Sequence, residues 1–155
     1  EQKLKPGKTA STVFYHDPCH LARGMGVYKE PRKLLEGIPG TRLVNPAMEG
    51  SACCGLGGGV RRNFPEDSIK LAKERHDAAK KLGAGLIITN CPGCYQNLLE
   101  SRIESNAGSG ADTDSNSRLE VMDLAEYLAD SLQLGVPRTE KTDEEVIRWM
   151  NQFFR

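Results

Sequence analysis

The sequence has no long apolar run, no net charge and no complete nucleotide-binding motif. No stretch approaches the roughly 20 apolar residues that a membrane-spanning helix requires. The 21 Lys and Arg residues balance 21 Asp and Glu residues, so bulk charge does not favour nucleic-acid binding. A P-loop motif is absent, and Val60 stands where a Gly-x-Gly-x-x-Gly motif beginning at Gly55 needs its last glycine. These absences argue against a direct membrane span, a nucleic-acid partner and a nucleotide site.

The length and composition are those of one soluble domain. A chain of 155 residues can bury a single sizeable core, and its 38% hydrophobic and 27% charged residues are ordinary for a globular protein. The segment 1–8 has neither an initiator Met nor the apolar run of a signal peptide. We read it as a mature terminus or as a cut from a longer chain.

The cysteine content points to metal or redox chemistry. An odd number of cysteines does not suit a disulfide framework, and a chain of this length does not need disulfide bonds to be stable. The sequence therefore predicts an intracellular protein whose thiolates bind metal or do redox work. The candidate thiols are Cys19, Cys53, Cys54, Cys91 and Cys94.

Apolar runs alternate with amphipathic segments along the chain. Short β-forming runs predict strands at 12–15, 41–45, 86–89 and 119–122. Helices are expected from Pro31 to about 37, over 65–82, through Ile103, after Asp123 and over 142–155. The last two begin with capping boxes, at Asp123 and at Thr142. The alternation predicts an α/β fold, a parallel sheet of about four strands with helices on both faces, in a Rossmann-like three-layer arrangement.

The same pattern divides the chain into three parts. We expect a lead-in segment at 1–11, a main domain at 12–134 and a C-terminal linker with an amphipathic helix at 135–155. Residues 105–117 are polar and of low complexity, which predicts a mobile loop. The final helix is expected to pack on its own domain or to dock onto a neighbour.

The predicted strands place all five cysteines at one edge of the sheet. Cys19 follows the first strand, Cys53 and Cys54 follow the second, and Cys91 and Cys94 follow the third. Ligands of open α/β sheets bind beyond the carboxyl ends of the strands. The cysteines are therefore expected to form one site at the carboxyl edge.

Five converging thiols favour a metal site over a dithiol. A Cys-x-x-Cys pair such as Cys91 and Cys94 occurs in redox, zinc and iron–sulfur sites alike. A tetrahedral zinc needs four ligands and leaves one cysteine over, whereas a multi-iron cluster can use five. The adjacent glycines allow close backbone approach, which predicts that Gly55, Gly57, Gly58 and Gly59 line a bulky cofactor.

Three motifs in this order resemble a known family. Tyr15-His-Asp-Pro-Cys-His20, Cys53-Cys-Gly-Leu-Gly-Gly-Gly59 and Cys91-Pro-Gly-Cys94 resemble the cysteine-rich CCG domain of heterodisulfide reductase B and D subunits. That domain also occurs in the iron–sulfur subunits of glycolate oxidase, lactate-utilisation and anaerobic glycerol-3-phosphate dehydrogenase systems. The resemblance covers about 12–132.

The resemblance implies a noncubane 4Fe-4S cluster bound by Cys19, Cys53, Cys54, Cys91 and Cys94, with one of the tandem cysteines bridging irons. It implies a heterodisulfide-reductase-like oxidoreductase that reduces a disulfide-type substrate or passes electrons on. A single motif set without a ferredoxin motif implies a carboxyl-terminal piece of a larger reductase, or a lone subunit. The implied partners are other subunits or domains of a redox complex, including a ferredoxin-like or flavin-containing electron donor. The implied location is cytoplasmic, peripheral to a membrane only through partner subunits.

Several side chains near the motifs have two interpretations. His16 and His20 are catalytic candidates that can donate a proton to a leaving thiolate, or they satisfy loop backbone. Asp17 is expected to cap the turn before Pro18, and Arg61 and Arg62 either offset cluster charge or are simply solvated. An electron-relay or assembly module organised by zinc or a cluster is the alternative to an enzyme. A dithiol oxidoreductase using Cys91 and Cys94 ranks last.

Overall fold

A computed structural model describes residue 7 and residues 10–45, 52–108, 119–135 and 142–152. Its centre is a four-stranded sheet in the order β2-β1-β3-β4, in which every neighbouring pair is parallel. The strands are β1 (Ser11–Tyr15), β2 (Thr41–Leu43), β3 (Leu86–Thr89) and β4 (Glu120–Asp123). The predicted parallel α/β sheet is therefore confirmed.

Helical segments follow each strand. A short π-helical segment, His20–Gly24, comes after β1. The α-helices are α1 (Lys29–Glu36), α2 (Val60–Asn63), α3 (Pro65–Lys81), α4 (Pro92–Gly108), α5 (Leu124–Ser131) and α6 (Asp143–Asn151). Among the described helices, none is long and apolar enough to cross a membrane.

Alternating strand side chains divide the core between the two faces of the sheet. On one face, Tyr15 and Ile88 pack with Leu35 of α1 and Tyr127 of α5. On the other face, strand and helix residues form a second cluster that includes Phe14, Ile87, Ala72, Ala79 and Leu98. Helices α1 and α5 thus cover one face and α3 and α4 cover the other, which makes the predicted three layers.

The observed bounds refine the expected elements. Helix α1 begins at Lys29, two residues before Pro31, and α4 continues to Gly108, so residues 105–108 of the predicted loop are helical. The rest of that loop lies outside the described residues, as do Phe153 and Phe154 of the last predicted helix. Both capping boxes are confirmed, with Asp123 and Thr142 as the N-caps of α5 and α6. The π-helical segment and α2 were not predicted.

Parallel pairing brings the chain to the same edge after each strand. The backbone N–H of His16, just after β1, donates to the carbonyl of Ile88 in β3 over 2.8 Å. The segments that follow β1, β2 and β3 contain all five cysteines, and these three strands are neighbours in the sheet. The fold therefore gathers the cysteine-containing connections at one side.

Candidate metal centre

Three buried side chains form a compact group at the carboxyl edge of the sheet. One ligand atom from each of His16, Cys54 and Cys94 lies within 4.8 Å of the others. The exposed fractions of these residues are 3%, 5% and 3%. One residue comes from each connection after β1, β2 and β3. Two soft sulfur ligands and an imidazole nitrogen in this arrangement can bind a metal.

The group is extended by Cys91, which precedes the first turn of α4. A hydrogen bond from the Cys94 thiol, together with the backbone N–H groups of Cys94 and Gly93, lowers the pKa of Cys91 to about 6. The N-terminus of a helix favours negative charge in the same way. Cys91 is half-buried, and its lowered pKa favours the thiolate form.

Protonation differs between the two buried cysteines. The Cys94 thiol donates to Cys54, which lowers the pKa of Cys54, and His16 and the backbone N–H of Leu56 lower it further. The pKa of Cys94 is raised, first because its proton is shared with Cys54 and then with Cys91. Hydrogen bonding from Cys94 thus favours the thiolate form of both Cys54 and Cys91. A cation bound here would take the place of the Cys94 proton.

The remaining two cysteines lie beside the group. Cys53 and Cys19 are free and half-buried, and neither belongs to the group of mutually close ligands within the described residues. The sulfur of Cys53 accepts a hydrogen bond from the N–H of Gly55 over 3.3 Å. Cys19 is the residue just before the π-helical segment.

The two candidate histidines occupy different environments. His16 is buried, and its Nε2 has no hydrogen-bond partner among the described residues. His20 is exposed at the start of the π-helical segment and lies outside the group. Geometry therefore favours His16 of the two, and it offers a ligand role that was not predicted from the sequence.

The predicted cofactor-binding glycines have separate local roles. A Cβ on Gly55 would lie 2.5 Å from the carbonyl oxygen of Ser68, and φ at Gly55 is +92°. Gly57 and Gly58 have open space where a Cβ would be, and Gly59 is the left-handed N-cap of α2. The loop of residues 53–59, which we call the tandem-cysteine loop, packs closely on α3. This packing is sufficient to explain why position 55 is a glycine.

The tandem-cysteine loop also contacts the Cys-x-x-Cys turn. A Cβ on Gly93 would lie 2.6 Å from Cδ2 of Leu56 and 3.9 Å from the sulfur of Cys91. The missing side chain at Gly93 lets Leu56 lie over the turn. Two motifs that are far apart in the sequence are thus held together by direct packing.

A buried ion pair fixes the segment between β1 and Cys19. Both carboxylate oxygens of Asp17 accept hydrogen bonds from Arg32 of α1, over 2.7 Å and 2.8 Å. The guanidinium also lies 5.2 Å from the ring centroid of Tyr15, and it donates to the carbonyl of Asn45 over 3.2 Å. Arg32 was not predicted as part of the site, because a basic residue in the charged run 29–33 has the pattern of a solvated surface.

The two arginines after the glycines also differ. Arg61 forms an ion pair with Glu100 of α4, while Arg62 is exposed. The pairing gives Arg61 a structural contact that links α2 to α4. The exposure of Arg62 fits the second interpretation of these arginines, in which the side chain is simply solvated.

Comparison with known proteins agrees with the motifs. A family model described as a cysteine-rich domain, CCG, matches residues 13–99. The B subunit of the fumarate reductase (CoM/CoB) of Methanothermobacter marburgensis is 41% identical over 123 residues, which are 79% of this chain and 24% of the relative. The D subunit of the dihydromethanophenazine:CoB–CoM heterodisulfide reductase of Methanosarcina acetivorans is 36% identical over 139 residues, 88% of this chain and 32% of the relative.

A bacterial protein is also similar to most of this chain over a small part of its own length. The probable iron–sulfur-binding oxidoreductase FadF of Bacillus subtilis is 31% identical over 134 residues, 84% of this chain and 18% of the relative. The chain thus spans a third or less of the length of these relatives. The family match covers more than half of the sequence and includes all five cysteines. The chain therefore belongs to the cysteine-rich CCG domain family, as its motifs predicted.

Proposed function

We propose that this chain is the iron–sulfur oxidoreductase domain of a heterodisulfide-reductase-like enzyme. In this proposal a noncubane 4Fe-4S cluster is held by Cys19, Cys53, Cys54, Cys91 and Cys94. The observation that carries it is the buried group of His16, Cys54 and Cys94 at the ends of adjacent parallel strands. Relatives named as a heterodisulfide reductase and as an iron–sulfur-binding oxidoreductase support the redox assignment.

The chemistry of the donors suits an iron–sulfur cluster. Thiolates are the usual ligands of such clusters, and the lowered pKa values of Cys54 and Cys91 favour the thiolate form at neutral pH. Among the described residues the buried Nε2 of His16 has no hydrogen-bond partner, and a bound group would provide one. When bound, the cluster supplies electron transfer at potentials set by its ligands and their hydrogen bonds.

The protein contributes positioning, charge balance and a proton source. Backbone N–H groups are directed at the sulfurs of Cys53, Cys54 and Cys91, and they would offset the negative charge of thiolate ligands in the bound state. Reducing a disulfide to two thiols consumes two electrons and two protons. The imidazole of His16, buried beside Cys54 and Cys94, is the proposed site from which one of these protons reaches a leaving thiolate.

The domain is proposed to act within a larger assembly. The chain covers 24% and 32% of the lengths of two relatives whose names describe subunits. Electrons would arrive from a ferredoxin-like or flavin-containing donor in other domains or subunits. The proposed location is cytoplasmic, with any membrane association made through those partners.

A single structural metal is the second candidate. Three sulfurs and one nitrogen, from Cys54, Cys91, Cys94 and His16, would complete a tetrahedral site without Cys19 and Cys53. The observation favouring it is that Cys91 is hydrogen-bonded to Cys94 of the mutually close group, whereas neither Cys19 nor Cys53 belongs to that group within the described residues. Under this reading the domain is a non-catalytic relay or assembly module.

Metal analysis separates the two candidates. We expect about four irons per chain, with matching acid-labile sulfide, after anaerobic purification and reconstitution. Cys53→Ala is expected to abolish cluster incorporation if the tandem pair bridges irons. One zinc and no iron per chain would overturn the cluster and favour the structural metal.

The histidines provide a matched pair of variants. His16→Ala should change the paramagnetic resonance spectrum of the reconstituted protein, because His16 is buried beside Cys54. His20→Ala should leave the spectrum unchanged, because His20 is exposed and outside the group. Equal effects of the two changes would contradict the role proposed for His16.

A further inference from the structure

We propose that Asn97 is a positioning residue for the metal centre, acting through the main chain of Cys54. The inference rests on the proposed metal-binding function of the cysteines. Asn97 lies on α4, is fully buried and contacts no ligand sulfur in the hydrogen bonds of the described residues. Its Nδ2 donates to the carbonyl oxygen of Cys54 over 2.6 Å.

Three hydrogen bonds fix the orientation of the Asn97 amide. Nδ2 also donates to the carbonyl oxygen of Ser68 in α3, over 3.1 Å. The Ser68 hydroxyl donates to Oδ1 of Asn97 over 3.2 Å, and Ser68 is itself fully buried. With two carbonyls on one side and a hydroxyl on the other, only one orientation of the amide satisfies every group.

The tandem-cysteine loop packs on α3 at Ser68, next to the Asn97 amide. Gly55, the residue after Cys54, approaches Ser68 so closely that a Cβ would lie 3.0 Å from its Cα and 2.5 Å from its carbonyl oxygen. The Cys54–Gly55 main chain is thus held by steric contact from α3 and by a hydrogen bond from α4. Together these contacts leave the loop little freedom to shift.

The bond from Asn97 connects two metal-ligating segments. Asn97 follows Cys94 by three residues on α4, so the two lie about one helical turn apart. Fixing the Cys54 carbonyl to this turn therefore sets the separation of the Cys54 and Cys94 sulfurs, which lie within 4.8 Å of each other. Groups that orient metal ligands in this way typically change metal affinity about 10–100-fold when removed.

The neighbouring residue offers a matched control. Gln96 is buried to a similar degree on the same helix, with 1% exposure against 0% for Asn97. Its Nε2 donates instead to Asn151 of α6 over 2.8 Å, away from the cysteine loops. Gln96→Ala removes a buried amide of similar volume from the same helix, with one described side-chain hydrogen bond against three for Asn97, but only Asn97 contacts a proposed ligand segment.

The test uses Co²⁺ as the probe with the metal-free full chain under anaerobic conditions. Thiolate-to-cobalt charge-transfer absorption reports affinity, and the ligand-field bands report the geometry of the site. We expect Asn97→Ala to weaken Co²⁺ binding about 10-fold or more and to shift the ligand-field bands. Gln96→Ala should keep the affinity within about twofold and leave the bands unchanged, as expected for a residue outside the ligand shell.

A milder variant keeps the test decisive if Asn97→Ala does not fold. Ser68→Ala removes the hydroxyl that orients Oδ1 of Asn97, and it should shift the same bands with a smaller loss of affinity. Unchanged Co²⁺ affinity and bands in folded Asn97→Ala or in Ser68→Ala would overturn the proposal, and so would an equal loss in Gln96→Ala. The cobalt readout does not depend on iron, so failure of the iron–sulfur assignment would be seen separately, in the metal analysis.

Discussion

The four glycines after the tandem cysteines differ in what their lack of a side chain allows. The sequence predicted one role for Gly55, Gly57, Gly58 and Gly59, as room for a cofactor. The structure separates them, because a Cβ on Gly55 would meet α3, whereas no described residue beyond the chain neighbours lies within 4 Å of a Cβ built on Gly57 or Gly58. A cofactor role for these glycines remains a prediction. The packing role of Gly55 is independent of any cofactor.

Gly55→Ala should strongly destabilise the metal-free protein. The added Cβ would meet Ser68 at 2.5 Å, and the positive φ of +92° disfavours any residue with a side chain. Left-handed backbone costs roughly 1–2 kcal/mol and overpacking typically another 1–3 kcal/mol, so a loss of about 2–5 kcal/mol is expected. Urea unfolding monitored by circular dichroism measures it. Gly57→Ala is the control, and an equal loss there would contradict the packing explanation.

Residue patterns single out the candidate ligands, but they do not single out the side chains packed around them. The cysteines could be placed from motif spacing and strand order because each follows a recognisable strand. Arg32 and Asn97 are polar residues on helices, and only tertiary contacts with Asp17 and Cys54 make them buried. A single sequence holds no signal for such contacts. Likewise, the sequence does not reveal that His16 is buried with an Nε2 that has no hydrogen-bond partner in the described part of the chain.

Elements with strong local signals were predicted closely. The run Leu-Ile-Ile-Thr predicted β3 at its observed bounds, Leu86–Thr89, and the long helix α3 ends one residue before the expected 82. The unpredicted α2 has four residues and one apolar side chain. A segment this short cannot show the repeat of apolar residues that indicates a helix. The π-helical segment depends on a hydrogen-bond pattern that residue propensity does not reveal.

The capping box of α6 makes a prediction at this scale. The Thr142 hydroxyl accepts from the backbone N–H of Glu145, and the Glu145 carboxylate accepts from that of Thr142. Thr142→Ala should cost about 1 kcal/mol, which corresponds to about fivefold faster hydrogen exchange in α6 if this helix opens on its own. Mass-spectrometric exchange reads out the α6 peptides against those of β1 and β3.

The control for this prediction is Thr142→Ser, which keeps a hydroxyl acceptor at the N-cap. It should leave exchange in α6 close to that of the wild type. Faster exchange throughout the sheet in Thr142→Ala would show that α6 opens only with the whole domain. No change in α6 itself would show that the box contributes nothing.

The arrangement of the whole molecule explains why distant motifs form one centre. Strand β1 lies between β2 and β3, so the connections after three neighbouring strands meet at one edge. The sequence predicted the parallel sheet and the shared edge, but it did not specify the strand order. With the order β2-β1-β3-β4, a metal bound at this edge cross-links segments that are up to 78 positions apart, from His16 to Cys94.

Metal binding should therefore stabilise the entire domain. A ligand that binds only the folded state adds RT ln(1 + [L]/Kd), which is about 2.7 kcal/mol at a free concentration 100 times Kd. We expect saturating Co²⁺ to raise the urea midpoint of the metal-free chain by the corresponding amount, and a chelator to restore the original value. Thiols of the unfolded chain also bind metal, which reduces the shift. Cys54→Ser keeps most of that non-specific binding but loses a buried ligand of the folded group, so its midpoint should move far less. If Cys54→Ser and the wild type gained equal stability from Co²⁺, the metal would be bound elsewhere and the edge of the sheet would not be its site.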